Sequence, residues 1–81
     1  MATMRAKVVV NSVEAFQCVE LLKMSPVSSN NPFGPNGESE DNTYARYTPG
    51  GNVTLNITNP DLFGKFKPGK KFYVDFTEAP E

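Results

Sequence analysis

RAKVVVNSV, residues 5–13, alternates with a period of two: Ala6, Val8 and Val10 fall on one face, and Lys7, Val9 and Asn11 on the other. A valine-rich run of that period is a strand with one face turned towards a core.

The next run, AFQCVELLKMSPV at residues 15–27, fits a short helix as well as a strand. Pro26 cuts it short and no N-cap signature precedes it, so residues 14–24 are read as strand, with helix as the alternative. Cys18 then becomes a small buried side chain with no histidine in the chain to activate it. Residues 25–42 form a loop longer than the usual connection in a compact domain, and such loops are functional or disordered.

TYARYT, residues 43–48, alternates again, PGGN turns, and NVTLNIT at 52–58 places Val53, Leu55 and Ile57 on one face; together they read as a β-hairpin. In NPDLFGKF, Asn59 reads as an N-cap, Pro60 as the first helical residue and Gly64 as a left-handed stop, giving one helical turn. KPGK turns once more, and KFYVDFT at 71–77 returns with Phe72, Val74 and Phe76 inward and Tyr73 and Asp75 outward. The expected fold is all-β: a small antiparallel barrel or sandwich of about five strands with one short helical turn, in a single domain spanning 1–81 with a long ordered loop at 25–42.

Composition narrows the chemistry. Eighty-one residues leave room for one small core. Eight Lys and Arg against nine Asp and Glu give a net charge of −1, so no strong overall field draws the chain to nucleic acid or an anionic membrane. A single cysteine rules out an internal disulfide, and the absence of histidine removes Ser/His/Asp triads and Cys/His zinc sites. Neither a P-loop nor GxGxxG nor paired CxxC occurs. The VVV run is too short for a signal-peptide core or a membrane span, so the expectation is an unsecreted protein without membrane contact.

Three constellations remain. Glu38, Glu40 and Asp41 offer oxygen ligands suited to Ca²⁺ or Mg²⁺, but their spacing is not that of an EF-hand, and a solvated surface is the plainer reading; no metal or other cofactor is expected. Lys65, Lys67, Lys70 and Lys71, interleaved with Phe66, Phe72 and Tyr73 and joined by Arg46, hold the ingredients of a nucleotide or single-strand binding platform. Lysines about a Pro-Gly turn also simply solubilise an edge. Phe33 stands among prolines and glycines that fix or free particular backbone angles, so the loop reads as ordered, with Asn36-Gly37 as its tight tip. Phe33, Tyr44, Arg46 and Tyr47 are the candidate partner-binding residues.

PFGPNGESEDNTYARYTPGG, residues 32–51, and NPDLFGKFKPGKKFYVDFTEA, residues 59–79, resemble a family of small uncharacterised proteins encoded by tailed bacteriophages, marine ones included. The likeness extends over most of the chain and is weakest at residues 14–24. It implies a setting in host cytoplasm or virion, among short gene products that bind host proteins, nucleic acid or nucleotides or decorate virions. No functional residue comes with it. The expectation is a non-enzymatic accessory or assembly protein acting as a protein-interaction module, partnered by itself as a homo-oligomer and by a phage or host protein. Nucleotide or single-stranded nucleic-acid binding is the alternative.

Overall fold

The alternating run is the centre of the sheet. In the computed structural model, which describes residues 3–28 and 34–80, strand β1 covers Met4–Ala15 and has a strand on either side. Ala6, Val8 and Val10 are buried, as their spacing requires. The register shifts between Val10 and Ser12, a bulge that adds one residue and inverts the parity beyond it. Val13 therefore packs against the same core although its number is odd.

The chain reverses at residues 16–19, where the Phe16 N–H donates to the Val19 carbonyl at 2.7 Å. Strand β2, Glu20–Pro26, runs back antiparallel along β1 and buries Leu22 and Met24. Residues 14–24 are thus strand, with the hairpin turn in their middle. The turn puts Cys18 in solvent, which corrects its reading as a buried side chain: it stands where the backbone changes direction, not along a strand face.

Strand β3, Val53–Ile57, pairs with β2, and strand β4, Lys71–Phe76, pairs with the other side of β1. The order is β3-β2-β1-β4, antiparallel throughout, and the sheet curls into a half-barrel. Among the described residues the expected fifth strand does not form: residues 43–48 are turns and bends, and β3 takes β2 as its partner instead of TYARYT. Two features stop 43–48 from extending, namely the capture of Thr43 by the β1 backbone and a left-handed Tyr47 with φ of 58°.

Residues 58–70 fold over part of the concave face. Asn59 caps a 3₁₀ turn, Pro60–Leu62, by accepting from the Asp61 N–H at 3.1 Å, and Gly64 follows with φ of 79°. The Gly64 N–H in turn donates to both Glu20 carboxylate oxygens, at 3.3 and 3.2 Å, fastening the segment to β2. Phe63 and Phe66 then pack on the core, with the Phe66 and Phe72 rings 5.0 Å apart. Among the described residues six buried apolar side chains make up the core, so it is thin, and the loss of any one is felt.

Candidate functional site

β1 begins before β2 ends, and this mismatch positions the long loop. Past Pro26 the backbone of Arg5 and Lys7 keeps β4 on one side and has no β2 residue on the other, and residues 42 and 43 fill that gap. The Thr43 N–H donates to the Arg5 carbonyl at 2.9 Å and the Arg5 N–H donates to Thr43 Oγ1 at 2.7 Å. Asn42 Oδ1 accepts from the Lys7 N–H at 2.9 Å while its Nδ2 donates to the Val27 carbonyl at 2.7 Å. One buried side chain thereby substitutes for the missing strand on both sides.

Asp41, next to it, is drawn onto the convex face of the sheet. Its Oδ1 accepts from the Tyr73 hydroxyl at 2.8 Å, and its Oδ2 lies 3.4 Å from Lys7 Nζ. Beside it Arg5 grips Asp75 through two bonds of 2.6 and 3.1 Å and lies 4.4 Å from the centre of the Tyr73 ring. The hydrogen bond to Asp41 raises the Tyr73 phenol above its usual value, and the bond from Arg5 holds the Asp75 carboxyl below the usual carboxylate range. Each charge here is matched by a neighbour, which makes the cluster a fastening between loop, β1 and β4.

Residues 34–38 form the tight turn of the loop. The Gly37 N–H donates to the Gly34 carbonyl and the Gly34 N–H to the Glu38 carbonyl, both at 2.9 Å, closing a three-residue turn with Gly37 at φ of 79°. Pro35 and Asn36 occupy its centre and Gly37 closes it, one residue earlier than the expected Asn36-Gly37 tip. The Tyr47 ring lies where a Cβ on Gly37 would stand.

The sequence candidates are dispersed. Phe33 lies outside the described residues. Tyr44 is half-buried, donates its hydroxyl to the Gly50 carbonyl at 2.9 Å and lines the concave face; burial raises its phenol above the usual value. Arg46 and Tyr47 are exposed nearby. Lys65, Lys67, Lys70 and Lys71 are exposed as well, but at the other end of β4, roughly 16 Å along the strand from Phe76, beside which Tyr44 sits. Phe66 and Phe72 face inward against each other, so Arg46 and the lysines do not share an aromatic platform. Glu38, Glu40 and Asp41 do not converge either: Glu38 accepts from the Asn36 N–H, Asp41 faces Tyr73, and among the described residues no group of three or more acidic or cysteine side chains is placed to hold a metal ion.

What sequence reading missed is the concave face itself. Two shallow depressions meet at Val74: one of about 130 Å³ between Met4, Tyr44, Val53 and Phe76, and one of about 280 Å³ between Leu22, Leu55, Leu62 and Phe66. Both fall below the usual ~300–1,000 Å³ of small-molecule pockets. Their rims leave Leu55 at 53%, Phe76 at 48%, Leu62 at 42% and Met4 at 37% exposed. The inward alternation of β3 and β4 was legible; that nothing covers those residues could not be read without the curl of the sheet. Among the described residues no helix is long and apolar enough to cross a membrane.

No protein-family model, curated protein or solved structure matches the chain.

Proposed function

We propose that the protein is a non-enzymatic protein-interaction module that works by association, first with copies of itself. The observation that carries this reading is the uncovered concave face. Four large apolar side chains, Met4, Leu55, Leu62 and Phe76, stand over a third exposed on one side of a half-barrel, and among the described residues the outer edges of β3 and β4 pair with no further strand. A thin core with exposed apolar surface and two open edges gains stability by being covered. Within the cluster that the sequence offers for metal binding, Asp41 is engaged in fastening the loop, which favours an interaction role.

The setting we propose is that of a phage accessory or assembly protein in host cytoplasm or virion, with a phage or host protein as the further partner; its support is the likeness of residues 32–51 and 59–79 to the phage family. The second reading, binding of a nucleotide or single strand, is favoured by one observation: Lys65, Lys67, Lys70 and Lys71 are exposed, and none enters an ion pair among the described residues.

Native mass spectrometry of the wild type and of Leu55→Asp separates the two. The interaction reading expects a bare oligomer whose subunit number or affinity falls in Leu55→Asp. A monomer carrying nucleotide or oligonucleotide, unchanged by that substitution, overturns it in favour of the lysine end.

A further inference from the structure

The free edge of β4 has a charge pattern that specifies how it pairs. The Val10 N–H donates to the Lys70 carbonyl at 2.9 Å, and antiparallel ladders alternate, so Phe72, Val74 and Phe76 turn their backbone groups towards β1. Lys71, Tyr73 and Asp75 turn theirs out of the sheet. No proline interrupts the strand, and Tyr73 is 51% exposed. The edge therefore offers three residues' worth of unpaired N–H and C=O groups at two-residue intervals.

We infer that two copies join antiparallel through β4, with Tyr73 on the two-fold axis. This deepens the interaction-module reading and rests on it. Centring on Tyr73 uses all three outward residues and sets Lys71 opposite Asp75 of the second copy, twice by symmetry, on the convex face. On the concave face the same register sets Phe72 opposite Val74. Moving the axis by two residues to Lys71 or to Asp75 places a like charge directly upon itself, and moving it by one leaves Lys71 without an acid across the seam. Lys71 enters no ion pair among the described residues, whereas Asp75 already faces Arg5, so the seam extends an existing pair into a charge network. β3, whose residues 53–57 read VTLNI, has no charge and selects no register. Two four-stranded sheets become one of eight, with both concave faces on the same side.

The test is a charge exchange read by sedimentation velocity. Lys71→Glu and Asp75→Lys each oppose like charges twice, and each alone is expected to weaken the dimer at least tenfold. Mixed in equal amounts they are expected to dimerise as tightly as the wild type, because both opposing positions then carry opposite charges. Asn56→Lys on the β3 edge is expected to leave the dimer intact. Because Asp75→Lys also removes the partner of Arg5, circular dichroism checks its fold, and a second measurement stands apart from it: in a Cys18→Ser background, Tyr73→Cys is expected to give a covalent dimer on oxidation and Asp75→Cys none, since only the residue on the axis meets itself within disulfide reach. A dimer untouched by Lys71→Glu, lost in Asn56→Lys or cross-linked at Asp75→Cys overturns the β4 seam and leaves the interaction reading standing. A chain that is monomeric at every concentration overturns both.

Discussion

The Tyr73 hydroxyl donates to Asp41 at 2.8 Å, joining the outer strand of the sheet to a loop residue 32 positions earlier in the chain. Together with Asn42 it makes the long loop a part of the fold, since removing the loop would strip hydrogen-bond partners from both β1 and β4.

Asn42→Ala leaves the Lys7 N–H and the Val27 carbonyl unpaired in a part-buried site. At about 1–3 kcal/mol for each orphaned group, a loss of roughly 2–6 kcal/mol is expected in urea unfolding. Asn42→Asp keeps the acceptor for Lys7 and forfeits the donor to Val27, so it is expected to fall between wild type and Asn42→Ala.

Arg5 and Asp75 predict the acid limb of stability. The folded Asp75 titrates below its ordinary value of 3.8, so its contribution is present above that pH and is lost as pH falls through the lowered folded value. Tyr73 has the opposite sense: its folded value lies above the ordinary 10.0, so its contribution is present below pH 10.0 and is lost as pH rises through the raised value. Thermal melts across pH are expected to lose part of the acid fall in Asp75→Asn and part of the alkaline fall in Tyr73→Phe. Arg5 and Asp75 are exposed, whereas Tyr73 bonds to a buried Asp41, so the acid limb is the more strongly screened of the two, and profiles unchanged in both variants would contradict these assignments.

Leu22 and Leu55 face each other across β2 and β3, yet they answer to different demands. Leu22 is 1% exposed and Leu55 53%. Leu22→Ala is expected to lower stability by about 2–5 kcal/mol, whereas Leu55→Ala changes stability by less than about 1 kcal/mol and weakens association. Denaturant unfolding and sedimentation on the same two variants check both halves.

Gly37→Ala is expected to cost about 1–2 kcal/mol for the left-handed backbone, and more if the Tyr47 ring, 2.5 Å from the added Cβ, cannot move aside. Gly50→Ala, where a Cβ meets nothing and φ is not positive, is expected to be neutral. Equal melting temperatures for the two would show that the turn at Gly34–Glu38 is not held as described.

Much of this architecture can be read from residue patterns, and the rest fails for identifiable reasons. β1 and β4 are legible because each alternates over enough residues to show which face is buried, and the turn at Pro60–Leu62 because Asn59, Pro60 and Gly64 mark its start and stop. Residues 43–48 alternate equally well and form no strand, because Arg5 captures Thr43 and Tyr47 adopts a left-handed backbone, neither of which side-chain periodicity records. The hairpin at Phe16–Val19 contains no Gly, Pro or Asn, so Cys18 carried no turn signal. The Arg5–Asp75 and Tyr73–Asp41 pairs depend on strand register and loop path across long stretches of chain, and neither is written locally. In the candidate surface, the inward orientation of Leu55 and Phe76 was legible while their exposure was not, since exposure depends on how far residues 58–70 reach across the sheet.

Sedimentation equilibrium of the wild-type protein over a wide concentration range, at low and at molar salt, tests the interaction reading most directly. A reversible monomer–dimer equilibrium that persists at molar salt and is weakened by Phe76→Asp is the expected result, because apolar burial survives screening that dissolves a purely ionic contact. A single monomeric species at every concentration and both salts, with Phe76→Asp indistinguishable from wild type, would contradict it.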